Sequence, residues 1–251
     1  MNKDRAASST AATPEILKVE QNDSGYPKQL LATLGSKAPR TLYLQGNTDL
    51  PNLDGIGFCG SRKSSRKGID TVRDCTEQAA IAGLTVVSGN AAGIDFEVHY
   101  HGLSVGGTTI LVLPEGINHF RIKRALKPVW DWERTLVISQ FDPDDVWKGY
   151  RAMIRNQIII GLSKVMIVIE AGEQGGTMNA GMETIKHRTP LYVAEYRDMS
   201  VDARGNKELL GLGGKPLARS RSTGRANMRN VFTDMERDPA ISSKQDQIRL
   251  L

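Results

Sequence analysis

The feature that most constrains this chain is a rhythm that begins after Asp54. Apolar, β-branched runs recur at Ile56–Cys59, Leu84–Val87, Thr109–Leu113, Leu136–Ile138, Val165–Ile169 and Leu191–Val193. Each is strand-sized. Longer segments with apolar residues at helical spacings separate them: Gly68–Ile81, Asp95–Ser104, Phe120–Trp130, Ala152–Leu162 and Asn179–Lys186. Strand alternating with helix predicts an α/β fold, a doubly wound, mainly parallel sheet with helices on both faces, because parallel neighbours need crossovers and those are right-handed. Thr109–Leu113 and Val165–Ile169 are nearly continuous apolar runs, as expected of strands buried on both sides, and belong in the interior of the sheet.

Around this block the text changes character. Residues 1–22, rich in Ala, Ser and Thr without a sustained period, read as a disordered leader. In 23–54, breaks at Gly25-Tyr26-Pro27, Ala38-Pro39-Arg40 and Gly46-Asn47 separate one short helix from one short strand, a small lead-in to the main domain at 55–214. Residues 215–251 read as a basic segment followed by a polar tail. The stretch from Arg204 to Arg229 holds seven basic residues (Arg204, Lys207, Lys215, Arg219, Arg221, Arg225, Arg229) against one acid, Glu208, interleaved with Gly and Ser. That is a flexible cationic segment, either a solvated loop or a surface for a polyanion. The whole chain carries 33 Lys+Arg against 28 Asp+Glu, a net +5, which leans the same way. Two cysteines without a CxxC pair suit a reducing compartment. Since every apolar run falls short of the roughly 18 residues a membrane span needs, the expectation is a cytoplasmic protein without a membrane partner.

In an open α/β sheet the loops at the carboxyl ends of the strands form the ligand crevice, and here several are unusual. After the first strand of the main domain comes Gly60-Ser61-Arg62-Lys63-Ser64-Ser65, a small-residue turn with two cations leading into a helix. Its backbone N–H groups and the helix start favour an anion such as phosphate, and Arg62 adds a bidentate grip; the alternative is a capped turn with surface charges. Ser88-Gly89-Asn90-Ala91-Ala92-Gly93-Ile94-Asp95 is a second such loop, matching neither the GxGxxG pattern nor a P-loop. Asp95 reads as a helix N-cap, and His99 as a packed or hydrogen-bonded histidine rather than a metal ligand. A third loop, Glu170 to Thr177, offers Gly175, Gly176 and Thr177 as an anion cradle. Arg151 and Arg155, with Asn156, fall near the start of an apolar helix, where they oppose its dipole; binding a phosphate would supply a reason. The carboxylates Asp95, Glu115, Glu170 and Glu173 stand on separate loops, so no catalytic constellation, metal site or cofactor is read.

Taken in order, these pieces resemble the DNA-processing protein A (DprA/Smf) family over roughly Gly25 to Gly214. The carriers are Gly25-Tyr26-Pro27, Leu42-Tyr43-Leu44-Gln45-Gly46, Gly60-Ser61-Arg62 with Gly68, Ser88-Gly89 to Gly93-Ile94-Asp95 with His99, and Gly106-Gly107-Thr108. Further carriers are Arg155-Asn156 with Ile159 to Ser163, Val168 to Ala171, Gly175-Gly176-Thr177, and Gly205-Asn206 to Leu210. The resemblance implies an extended Rossmann domain that binds single-stranded DNA without reading sequence, protects it, forms a homodimer and helps load a RecA-type recombinase, and that is not an enzyme. It places the family's pocket arginines on Arg62 and Arg155. The DNA contacts expected are Gly60, Ser61, Arg62, Lys63, Ser88, Gly89, Gly93, Arg155, Asn156, Gly175, Gly176 and Thr177. The sequence departs from the family where a serine-glycine-serine loop becomes Gly175-Gly176-Thr177 and a proline-glycine becomes Ala194-Glu195. The basic segment Arg219 to Arg229 stands in place of the winged helix frequent in the family. The alternative function is a nucleotide-binding sensor or phosphoribohydrolase-like enzyme of a related Rossmann family, for which Gly175-Gly176-Thr177 with Glu183 is a partial match.

Overall fold

The computed structural model of the protein describes residues 12–196 and 203–237. Strands β1 (Ile16–Glu20), β2 (Thr41–Gly46), β3 (Gly55–Cys59), β4 (Thr85–Gly89), β5 (Thr109–Val112), β6 (Thr135–Ser139), β7 (Val165–Val168), β8 (Leu191–Ala194) and β9 (Lys215–Leu217) form one sheet in the order β1-β2-β6-β5-β4-β3-β7-β8-β9. From β6 to β9 every neighbouring pair is parallel, while β2 runs antiparallel to β6 and β1 antiparallel to β2. The chain winds from β3 outward through β4, β5 and β6, then returns to place β7 on the other side of β3. This reversal makes the β3/β7 boundary the topological switch point, where the first turns of two helices diverge and leave a crevice.

Helices α1 (Lys28–Leu34), α4 (Gly149–Gly161), α5 (Gly176–Lys186) and α6 (Arg204–Gly211) lie on one face; α2 (Arg66–Ile81), α3 (Ile94–Ser104) and α7 (Arg229–Met235) lie on the other. The two faces have separate apolar cores, one joining Leu30, Leu42, Ile159, Met166 and Val193, the other Phe58, Val72, Val98, Ile167 and Val231. Every residue of β3, β4, β5 and β7 is buried, which accounts for their unbroken apolar text. The small residue Gly55 is required rather than tolerated: a Cβ there would meet the Leu162 carbonyl oxygen at 2.0 Å.

The structure corrects four readings of the sequence. Ile16–Glu20, placed in the leader, is an edge strand; its side chains are exposed apart from Val19, so it carries little hydrophobic signal. The lead-in is not a separate unit, because β2 pairs with β6 and α1 packs on α4 through Gly161, whose missing side chain admits Leu30 and Leu34. Phe120–Trp130 is irregular instead of helical: its apolar residues pack locally, Phe120 against Trp130 and Trp132, under a chain that never closes a helical turn ladder. The boundary at 214 is also overturned, since β9 extends the sheet and α7 covers it, with Asp234 accepting from the buried Tyr192 hydroxyl at 2.7 Å. The rest of the expected leader, 1–11, and of the tail, 238–251, lies outside the described residues.

Candidate nucleic-acid interface

Three loops converge at the carboxyl ends of β3, β4 and β7. The first, Gly60 to Ser65, ends with the Ser65 hydroxyl accepting from the Gly68 amide at 3.1 Å, an N-cap for α2. Glu170, 1 % exposed, reaches across from the end of β7 to accept the Ser65 N–H at 2.9 Å and the Ser65 hydroxyl. Gly68 makes this possible, because a Cβ there would stand 2.7 Å from the Glu170 carboxylate. A buried anion facing the first turn of α2 is favourable twice over, through hydrogen bonds and through the helix dipole. The result fixes the first loop to the third, and leaves Arg62 and Lys63 exposed at its tip.

The second loop, Gly89 to Gly93, is held from beneath. Asp95 accepts from the Ser88 hydroxyl (3.1 Å), the Ala91 amide (3.1 Å) and the Arg155 guanidinium (3.1 Å). Its role is therefore a buried strut and not the expected cap; the cap position belongs to Gly93. Gly93 adopts φ +71°, and a Cβ there would lie 2.3 Å from the Ser61 carbonyl oxygen, so glycine alone lets the second loop touch the first. His99 is hydrogen-bonded on both nitrogens. Its Nε2–H donates to the Gly89 carbonyl at 2.7 Å, which leaves Nδ1 to accept from the Thr109 hydroxyl at 2.7 Å. Burial lowers its pKa to about 4, so it is neutral at pH 7. Lys123, in the irregular segment 120–130 where the sequence predicts a helix, donates to the Asn90 and Ala91 carbonyls at 2.8 and 2.9 Å and adds a half-buried cation beside the second loop.

Arg155 comes up from α4 into the gap between β4 and α3. It is 5 % exposed, and its guanidinium fills the space that a side chain at position 89 would need. Its charge is balanced by Asp95, so in this structure it shapes the loops instead of presenting a free cation. Asn156 donates to the Gly176 carbonyl at 3.4 Å and tethers the third loop. Arg151, the other arginine opposing the helix dipole, has a local explanation: it pairs with Asp145 at 2.7 Å and lies over the Phe141 ring. The third loop ends at Gly175, φ +110°, ahead of α5. Gly175 and Gly176 are exposed, so the first amides of α5 face solvent without a side-chain cap among the described residues. Asn206 holds the neighbouring backbone, accepting from the Ala171 amide and donating to the Ile169 and Ala194 carbonyls.

The loops that carry the residues expected from sequence lie side by side: Gly93 touches Ser61 and Arg62, Glu170 holds Ser65, Arg155 packs on Gly89, and Asn156 reaches Gly176. Arg62, Lys63, Gly175 and Gly176 are exposed, whereas Ser88, Gly89, Arg155 and Asn156 are buried beneath them. Glu183, by contrast, is turned away on α5, bound to Gln157 and to Lys186 at 2.6 Å. Among the described residues no group of three His, Cys, Asp or Glu side chains could hold a metal, and no helix is long and apolar enough to cross a membrane.

Comparison with known proteins agrees with this architecture. Residues 18–223 match the family model described as DNA recombination-mediator protein A. Protein Smf of Escherichia coli is 34 % identical over 159 residues, covering 61 % of this chain and 41 % of that protein. The DNA processing protein DprA of Streptococcus pneumoniae is 35 % identical over 143 residues, 56 % of this chain and 50 % of its own length. The chain therefore spans about half the length of these relatives. The X-ray structure of the pneumococcal protein superposes with a TM-score of 0.72 at 27 % identity, covering 81 % of this chain and 71 % of that one. A structure of DNA processing protein A from Helicobacter pylori, described for its single-stranded DNA binding mode, shares the fold with a TM-score of 0.68 at 22 % identity, covering 80 % of this chain and 90 % of that one.

Proposed function

The chain belongs to the DNA recombination-mediator protein A family, and from that premise we propose that its crevice binds single-stranded DNA by the sugar-phosphate backbone. The observation that carries the reading is the cluster of loops over the β3/β7 switch point, Gly60–Ser65 held against Gly89–Gly93 and Glu170–Thr177. It joins the exposed Arg62 and Lys63 to the unclosed first turn of α5, and two of the acids beneath it, Asp95 and Glu170, are buried and already satisfied, while Glu173 on the third loop is exposed. Such a surface attracts phosphates and has little means of reading bases, so binding is independent of sequence. A single strand suits it better than a duplex, because the phosphate must come down to backbone amides at the level of the loops.

Within this reading Arg62, Lys63 and the amides of Gly60, Ser61, Gly175, Gly176 and Thr177 contact phosphate. Ser88, Gly89, Gly93, Arg155 and Asn156 hold the loops in place. Fluorescence anisotropy of labelled oligothymidine over a salt series tests it. The wild type should prefer the single strand to the matching duplex, with a log–log salt slope near −0.7 per phosphate contact, and Arg62→Ala/Lys63→Ala should flatten the slope by about 1.4. Flat titrations for both forms would reject DNA and direct the search to nucleotides. Protection of the strand, homodimerisation and delivery of it to a RecA-type recombinase belong to the same proposal. Sedimentation of the free protein, and of a mixture with such a recombinase on single-stranded DNA, checks the last two.

A further inference from the structure

The basic segment that the sequence singled out is not a free loop. Arg219 bridges Ala226 in antiparallel fashion and donates to the Gly224 carbonyl at 2.9 Å, closing a turn around Ser220 to Arg225 immediately after β9. This turn is bolted to α2. Arg225 pairs with Asp74 at 3.1 Å and with Glu77 at 2.7 Å, the Ala226 amide donates to Asp74, and Gln78 donates to the Ala226 carbonyl.

The bolt changes the charge of the α2 surface. Asp70 is taken by Arg66 and Arg73, and Asp74 and Glu77 by Arg225. Every acid of α2 is thereby compensated within the protein. Arg62, Lys63, Lys67, Arg219 and Arg221 are exposed and have no acidic partner among the described residues. Their placement is ordered. Lys67, Thr71, Asp74 and Gln78 are spaced as one stripe of a helix, and Asp74 and Gln78 are where the turn is fastened. Lys67 stands on that stripe about 10 Å nearer the crevice, at 1.5 Å of rise per residue, with Lys63 and Arg62 beyond it. Because β9 is parallel to β8, Arg219 also leaves the sheet at its carboxyl edge, the edge that carries the crevice.

We propose that Lys67, Arg219 and Arg221 form an extension of the DNA path, a cationic track that leads a single strand from the crevice over the flank of α2 to the turn at 219–226. The inference rests on the reading of the crevice as a single-stranded DNA site. The track has cations and hydroxyls, from Ser220, Ser222 and Thr223, and a single flanking aromatic among the described residues, Tyr196, whose hydroxyl donates to the Ile169 carbonyl, so it follows phosphates more than it stacks bases.

Oligothymidines of about six and about twenty nucleotides separate the track from the crevice. In the full chain, Lys67→Ala/Arg219→Ala/Arg221→Ala should bind the long strand roughly tenfold more weakly, with a salt slope reduced by about 2, and bind the short strand like the wild type. Arg221→Ala alone, which removes no contact the fold uses, should give about a third of the slope change. Equal behaviour of wild type and variants on both lengths overturns the track and leaves the crevice reading standing, as does an equal loss on both. Failure of the wild type to bind either length overturns the crevice reading, and the track with it. Weakening that appears with anionic vesicles but not with the long oligonucleotide would assign the cations to a membrane surface and overturn the proposal as well.

Discussion

At the scale of single residues the site depends on what is missing from Gly89 and what is buried at Arg155. A methyl group at position 89 would fall 1.8 Å from the Arg155 guanidinium. Gly89→Ala should therefore displace the arginine from Asp95 and destabilise the protein by about 1–3 kcal/mol, read as a lower midpoint in urea unfolding. Arg155→Ala should cost more, about 3–5 kcal/mol, because Asp95 would keep its burial and lose its counter-ion. An unchanged midpoint for Arg155→Ala would show that the pair is not what holds the second loop. His99 makes a prediction about pH. Its pKa falls from the ordinary 6.5 to about 4 on folding, so between these values the unfolded chain binds the extra proton. The stability it contributes is complete above pH 6.5 and is lost as the pH falls toward 4, by about 3 kcal/mol in all. His99→Gln should lose less stability than the wild type between pH 7 and pH 4.5 in parallel urea titrations.

At the scale of elements, the third loop and the last helix depend on different physics. Gly175 sits at φ +110°, ψ −169°, a region open almost only to glycine, with nothing within 4 Å of where a Cβ would stand. Gly175→Ala should thus act through the backbone alone, costing about 1–3 kcal/mol and weakening oligonucleotide binding by shifting the start of α5. Anisotropy at a temperature where the variant is fully folded checks the second effect; full affinity there would remove this loop from the DNA contacts. Helix α7 is held by Asp234, which accepts from Tyr192 and pairs with Lys215 and Arg237. Asp234→Ala leaves the buried Tyr192 hydroxyl unpaired, and the expected cost is about 1–3 kcal/mol in thermal or urea unfolding. These elements also show what a sequence pattern can carry. The interior strands were legible because burial on both faces forces unbroken apolar text. Strand β1 was not, since an edge strand with only Val19 buried has no such text to write, and the Phe120–Trp130 segment misled because local aromatic packing mimics a helical stripe.

At the scale of the whole molecule, the sheet order converts scattered loops into one surface. Residues 60–65, 89–93 and 170–177 are far apart in the chain, yet winding outward from β3 and returning at β7 sets them side by side. The sequence by itself determined the α/β class, the parallel core and the glycine-rich loops, because periodicity and small residues are local properties written in order along the chain. It also marked the three loops that the fold sets side by side, though not the duty of each residue in them. Only the tertiary structure decided that Asp95 and Arg155 neutralise each other, that Glu170 closes the start of α2, that Lys123 enters the crevice from an irregular segment, and that Arg225 frees the α2 flank of negative charge. Each of these is a pairing between groups from 32 to 151 residues apart. Whether a charge is spent inside the protein or left for a ligand depends on what the fold places opposite it, and no spacing along the chain records that.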